Sequence, residues 1–414
     1  MEQAFQEQID RIKGADIVVG IPSFNSVRTI GQVIRTVAAG LTKAFPAVKA
    51  VLIHSDSGST DGTQEEAKRA IAEGFPLLFT SQPILPIHQL NPPHHGIPGI
   101  ESALRTFFEA GHLWNAKACA VVDPDLTSIT PEWIERLIGP VWKDAFDFVA
   151  PLYARHKFDG TLTNGIVYPL TRVLYGKRVR QPIGKDFAFS GALAGFYLRS
   201  NAWESDVVRF GVDIWMTTVA VAEGFKVCQT CLGPRLHAAK GAESNLGSMF
   251  TQVVSSVYEL MEQYQDVWKK GNETQPVPTF GVPPEGEVEP VSVNVERMTG
   301  IFRSGIRNLA EIWGTVFPRE TLLALKSMAG LPDRAFLFPP DVWARIVYDG
   351  AVAYHRGRIH RDHLLKSMIP LYLGHVASLV REHQQSSPQD VEEEIETLCR
   401  VYEQLKPYLI QRWG

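Results

Sequence analysis

The chain has 414 residues, a formal net charge of -4, 45% hydrophobic and 21% charged residues, enough to bury a sizeable core in two domains. The acidic balance and the absence of a basic run argue against a nucleic-acid partner. No apolar stretch reaches the ~18 residues of a membrane span, and Met1-Glu2-Gln3-Ala4-Phe5-Gln6-Glu7 is no signal peptide, so a cytoplasmic location is expected.

In chain order, Ile17-Val18-Val19-Gly20-Ile21-Pro22 reads as a short buried strand. It is followed by the turn Ser23-Phe24-Asn25-Ser26 and by a helix whose Ile30, Val33, Ile34, Val37 and Leu41 keep helical spacing. A second strand, Ala50-Val51-Leu52-Ile53-His54, runs into the polar loop Ser55 to Thr63 and a further helix. In the next helix Ile100, Ala103, Leu104, Phe107 and Phe108 form an apolar face, which makes Ile100 a core residue. The apolar run Ala118-Cys119-Ala120-Val121-Val122 then closes on Asp123-Pro124-Asp125. This alternation predicts an α/β fold with a mostly parallel sheet flanked by helices, binding ligands at the strand carboxyl ends.

Two carboxylates one residue apart at such an edge make a hard oxygen site where a divalent cation can sit between protein and a diphosphate. The same residues also suit a strand-terminating turn, and Asp56 and Asp61 suit turns and helix caps. Cys228-x-x-Cys231 has no second pair for zinc, and four cysteines make no disulfide framework, so these are expected to be structural.

The next helix is expected from about Leu246 to Lys269, and the Pro-, Gly- and Glu-rich stretch after it suits a linker. Beyond, Met298, Ile301, Phe302, Ile306, Leu309 and Trp313 keep helical spacing, as do segments from Pro340 and His363. The expected organisation is a catalytic domain over 1–270, a linker over 271–292 and a C-terminal α-helical domain over 293–414. Trp313, Trp343 and Tyr348 are expected in the helical core, and a homo-oligomer formed through these helices is one option.

Ile21-Pro22-Ser23-Phe24-Asn25, Asp56-Ser57-Gly58-Ser59-Thr60-Asp61-Gly62-Thr63 and Asp123-Pro124-Asp125 resemble, in order and spacing, the nucleotide-binding half of the A-type glycosyltransferases. The resemblance implies the GT-A nucleotide-diphospho-sugar transferase fold. It gives Pro22, Phe24, Asn25 and Asp56 to the nucleoside, and the Asp-x-Asp motif to Mg2+ or Mn2+.

A narrower resemblance covers almost the whole chain. Tyr153-Ala154-Arg155, Asp159 and Thr163 resemble the acceptor segment of the mannosylglycerate and glucosyl-3-phosphoglycerate synthases. Gln181-Pro182-Ile183-Gly184 is similar to their Gln-Pro-Leu loop, Gly211-Val212-Asp213 to their Gly-x-Asp, and His237, after Gly233-Pro234-Arg235-Leu236, to their metal-binding His. Arg334-Ala335-Phe336-Leu337-Phe338 resembles their C-terminal helical region.

This resemblance implies metal ligation by Asp125 and His237, acceptor binding by Arg155, Thr163, Gln181 and Gly184, and catalytic roles for Asp123 and Asp213. Asp213 would orient the acceptor hydroxyl or donor sugar, or act as a base; its alternative is a helix cap. The planar fork of Arg155 suits a glycerate carboxylate, and Thr163 can add a hydroxyl donor.

The chain departs from these relatives at Pro98-Gly99-Ile100-Glu101, where they carry Gly-Lys-Gly and the Lys touches the donor diphosphate. Another cation must take that role, with His94, His95, Lys185 and Lys240 as candidates. Their Gly-Glu is Lys185-Asp186 here.

The reading implied is a metal-dependent retaining transferase moving a hexose from GDP-mannose, GDP-glucose or UDP-glucose to a small anionic acceptor, glycerate or 3-phosphoglycerate. A lipid-phosphate or polysaccharide acceptor, and a nucleotide-sugar-binding protein that has lost catalysis, are the alternatives.

Overall fold

A computed structural model describes residues 3–70, 75–82, 84–90, 92–93, 95–237, 246–271, 273–283, 288 and 291–414. The strands are β1 (Ile17–Ser23), β2 (Ala50–Asp56), β3 (Leu77–Ser81), β4 (Ala118–Val121), β5 (Phe148–Ala154), β6 (Lys177–Arg178), β7 (Phe187–Ser190), β8 (Val227–Pro234), β9 (Gln275–Pro276) and β10 (Thr279–Phe280). Eight of them form one sheet in the order β10-β8-β5-β7-β4-β1-β2-β3. Every neighbouring pair is parallel except those made by β7, which runs antiparallel to both β4 and β5. The mostly parallel α/β sheet read from the sequence is therefore present, with one reversed strand at its centre.

Helices cover both faces, as a parallel sheet requires, and β1 and β2 are buried along their whole length. Alternate residues Ile17, Val19 and Ile21 of β1 pack with Ile30, Val33, Ile34 and Val37 of helix Ile30–Ala44 and with Ile134 and Leu137 of helix Pro131–Asp144. The period of two sends Gly20 to the opposite face, against helix Ile100–Leu113. A Cβ on Gly20 would stand 2.1 Å from Phe107 Cδ2, so only glycine lets that ring lie on the strand. Ile100, Ala103, Leu104, Phe107 and Phe108 are all buried, as their helical spacing predicts.

The chain divides into two compact units, one of Met1–Ala154, Val179–Ser244 and Pro276–Val288, the other of Arg155–Arg178, Asn245–Gln275 and Glu289–Gly414. These boundaries differ from the 1–270, 271–292 and 293–414 organisation read from the sequence. Helical periodicity reports that a helix has an apolar face, not which core that face covers. Residues 155–178 and helix Leu246–Gln263 belong with the C-terminal helices, while the Pro-rich stretch supplies β10, paired with β8.

The second unit is helical, and Trp313, Trp343 and Tyr348 lie in its core. Its helices include Val295–Asn308, Pro340–Arg356, Arg361–Glu382 and Pro388–Gln404, the last opened by a Ser387/Asp390 capping box. Arg172, buried in this unit, is held by Glu396 at 2.6 Å and by Glu403 at 2.8 Å. Among the described residues no helix is long and apolar enough to cross a membrane.

Candidate functional site

Parallel strands carry their carboxyl ends to one edge of the sheet, and this edge collects the polar loops of the first unit. β1 ends in Ser23, β2 in Asp56, β4 leads into Asp123-Pro124-Asp125, and β8 leads into Arg235 and His237. Because β7 runs backwards, with Val121 opposite Phe187, its start arrives at the same edge and brings Lys185 and Asp186 with it.

The first two loops are stitched together. Asn25, at φ 49°, donates its backbone N–H to Ser59 Oγ (2.8 Å) and accepts the Thr60 N–H on its side-chain oxygen (3.0 Å). Asp56 is buried and accepts from Ser59 Oγ (2.6 Å), the Ser59 N–H (2.9 Å), Gln64 Nε2 (2.8 Å) and Ser23 Oγ (3.2 Å). Asp61 accepts from the Val27 N–H (3.1 Å) and the Thr63 N–H (3.1 Å), so it ties the loops as well as the following turn. Pro22 is buried in β1 and Phe24 is half-buried beside them.

His54 lies beneath this loop pair, 2.8 Å from Ser23 Oγ. Burial pushes its pKa down to about 4 against the partial support of Asp56. The unfolded chain takes up this proton below about pH 6.5, the folded chain only below about 4. Stability is therefore full above pH 6.5 and falls as the pH drops through that window, on the order of 3 kcal/mol from this group. Comparing denaturant midpoints of wild type and His54→Gln at pH 7 and pH 4.5 checks this: the variant should lose less on acidification, and equal losses would rule the group out.

Asp123 is the centre of the edge. Its Oδ2 meets Arg235 Nη2 at 2.7 Å, His237 Nε2 at 3.2 Å and Lys185 Nζ at 3.6 Å, and its Oδ1 accepts the Asp125 N–H at 3.1 Å. Burial opposes its ionisation, yet Lys185, His237 and Arg235 hold the carboxyl well below the usual range. Asp186 accepts the Asp123 N–H at 2.9 Å and the Tyr153 hydroxyl. Burial and the neighbouring charge of Asp123 push Asp186 up to about 6. The Arg235 guanidinium also lies over the Tyr153 ring, 5.1 Å from its centroid.

His237 arrives through backbone pairing. Leu126 and His237 form an antiparallel bridge, and the Thr127 N–H donates to the Leu236 carbonyl at 3.0 Å. The strand after β8 is thereby zipped onto the Asp-x-Asp loop, setting His237 beside Asp123. Asp125 is also buried there and accepts the Ser26 hydroxyl at 2.7 Å. This donor set, a carboxylate with one oxygen engaged plus an imidazole, suits a hard divalent cation that takes its remaining oxygens from a diphosphate. Among the described residues no three His, Cys, Asp or Glu side chains make an all-protein metal cage.

The remaining expected residues are more scattered. Gln181 gives both halves of its amide to the Tyr153 backbone, accepting its N–H at 3.2 Å and donating to its carbonyl at 3.0 Å, which locks the loop to β5. Gly184 is required by close approach, since a Cβ there would stand 2.5 Å from Pro151 Cγ. Asp213 is buried just past the break at Gly211 in helix Asp206–Ala222, and its Oδ1 accepts the Ile214 N–H at 2.9 Å. Arg155 and Thr163 belong to the second unit, where both border Gly160. Asp159 accepts the Gly160 N–H at 2.7 Å. His95 is buried, while His94 and Lys240 lie outside the described residues.

Arg235, Asp186 and Tyr153 had no assigned site role in the sequence reading. One signal was present: Arg235 stands two residues before His237 in an extended segment, and alternate residues of a strand share a face.

No protein-family model matches the chain, and no curated protein matches it. Among solved structures it is similar to glucosyl-3-phosphoglycerate synthase from Mycobacterium tuberculosis in complex with Mg2+ and UDP, at 22% identity and a TM-score of 0.44, over 64% of this chain and 85% of that one. The same enzyme in complex with Mn2+, UDP and phosphoglyceric acid matches at 23% identity and a TM-score of 0.42, over 63% and 83%. Likeness at this level carries no argument about function, which rests on the residues of the edge.

Proposed function

We propose that the protein is a metal-dependent glycosyltransferase of the GT-A type, moving a hexose from a nucleotide sugar to a small anionic acceptor, with glycerate or 3-phosphoglycerate first. The observation that carries the reading is the cluster at the sheet edge, where Asp123 and Asp125 meet His237, Arg235 and Lys185. Four independent segments converge there, in the crevice where mostly parallel sheets bind nucleotides. The loops carrying Asn25 and Asp56 would hold the nucleoside.

Asp125 and His237 would hold Mg2+ or Mn2+, which when bound neutralises charge growing on a departing diphosphate. Lys185 and Arg235 supply fixed positive charge at the same place, and so take the part of the Lys absent at Ile100. Asp123 orders these cations, and Asp186, backed by the Tyr153 hydroxyl, fixes the Asp123 backbone. Asp213 would orient a reacting hydroxyl.

The anionic acceptor follows from Arg155 and Thr163, gathered around one turn at Gly160. If Arg155 takes the acceptor carboxylate, Arg155→Ala removes a charge-assisted pair worth about 1.5 to 3 kcal/mol, so the acceptor KM should rise roughly tenfold or more while the donor KM stays put. Separate titrations of acceptor and donor decide it. An unchanged acceptor KM, or equal losses for charged and uncharged acceptors, would favour a polysaccharide or lipid-phosphate acceptor. Saturable nucleotide-sugar binding with no product from any acceptor would instead mark a binding protein without catalysis.

A further inference from the structure

The second unit encloses a cavity of about 40 Å3 whose wall includes Asn164, Phe338, His375, Glu382, Glu394 and Leu398. Asn164 comes from a π-helical turn, Thr163–Val167, a local widening of the helix that is frequent at functional sites. His375 is stacked on Trp343, ring centroids 4.5 Å apart and planes 5° apart, and Phe338 meets it edge-on. The imidazole is only 8% exposed, and its Nδ1 is buried without a hydrogen-bond partner. A buried polar atom left unmatched points to a missing partner. Burial pushes the ring's pKa down to about 3, so it is neutral and keeps a lone pair.

The charge of the wall restricts what that partner is. Glu382 and Glu394 both reach the cavity, with Glu382 accepting the Ser378 hydroxyl at 2.6 Å, and no Lys or Arg lines it. Acceptors and negative charge prevail, which excludes anions such as phosphate and favours a donor-rich cation. Phe338 and Leu398 supply an apolar wall. A water-sized group occupies about 10 to 15 Å3 on this measure, so the enclosed room takes about three non-hydrogen atoms.

We infer that this cavity binds a small primary alkylammonium, its nitrogen toward the two carboxylates and the imidazole and its short stem against Phe338 and Leu398. The site lies wholly within the second unit, and its ligand does not depend on the transferase reading.

The test is a titration of the full-length protein with propylammonium chloride, followed by calorimetry and by Tm, with 1-propanol, sodium propionate and sodium chloride as controls. Propylammonium should bind saturably with a millimolar Kd and raise Tm, while the controls should not. Glu394→Gln and Leu398→Trp, the first removing charge and the second filling the space, should each weaken binding about tenfold or more. Glu382→Gln, on an exposed residue that leaves the core intact, gives the same reading if Leu398→Trp does not fold. No saturation by about 50 mM, an equal response to 1-propanol, or a Tm shift reproduced by sodium chloride would overturn the proposal in favour of a water-filled cavity.

Discussion

Asp125→Ala and His237→Ala are each expected to lower metal-dependent turnover by at least about a hundredfold, because loss of a ligand removes several kcal/mol of charge stabilisation from the departing diphosphate. The motivation is the bridge between Leu126 and His237, which fastens the imidazole to the Asp-x-Asp loop, together with the Ser26 hydroxyl that fixes Asp125. A purely structural role for these side chains predicts something else, a loss of stability with metal dependence unchanged. Asp125→Asn separates the two, since it can still accept from Ser26 but carries no charge. Turnover measured against Mn2+ concentration should show the apparent metal affinity collapsing in Asp125→Asn while the denaturant midpoint barely moves. Near-normal activity of the wild type in EDTA would sink the metal assignment.

Arg235→Ala is expected to cost about 3 to 5 kcal/mol of folding stability, the range for breaking a buried ion pair from one side. Arg235 donates to buried Asp123 at 2.7 Å and covers the Tyr153 ring, and its removal leaves Asp123 and Asp186 as adjacent carboxylates with less compensation. Adding Asp186→Asn should restore part of that loss, since the amide can still accept the Asp123 N–H without a second negative charge. The effects of the two changes should therefore be non-additive. Denaturant unfolding of the two single variants and the double variant checks this. A loss under about 1 kcal/mol for Arg235→Ala, or strict additivity, would mean the cluster is not a coupled unit.

Much of the edge was legible because its parts lie in local pattern. Strand, polar loop and helix alternate from Ile17 onward, and the sheet, the buried Ile100 face and the strand-end placement of Asp56 and Asp123 follow from that alternation. The reversal of β7 was not legible, since four residues, Phe187–Ser190, carry no mark of strand direction. That reversal is what delivers Asp186 and Lys185 to Asp123. The partners of a buried charge are set by tertiary pairing, so Arg235 could be seen in the sequence but not its counter-ion.

The role of Gln181 shows the converse. Its match to a family loop implies substrate binding, while its amide is engaged at both ends by the Tyr153 backbone, a contact that sequence spacing cannot reveal. The unit boundaries also escaped the sequence, because helices such as Leu246–Gln263 show an apolar face without naming the core it joins.

The most direct measurement is a donor-by-acceptor screen with Mn2+ or Mg2+ present, in which GDP-mannose, GDP-glucose and UDP-glucose are each offered to glycerate, 3-phosphoglycerate and glucose, and products are read by mass spectrometry. The reading predicts that at least one donor yields a hexosyl adduct of glycerate or 3-phosphoglycerate, with free nucleotide released in equal amount, and that EDTA abolishes it. Adducts on glucose alone, or saturable nucleotide-sugar binding with no adduct under any combination, would contradict it.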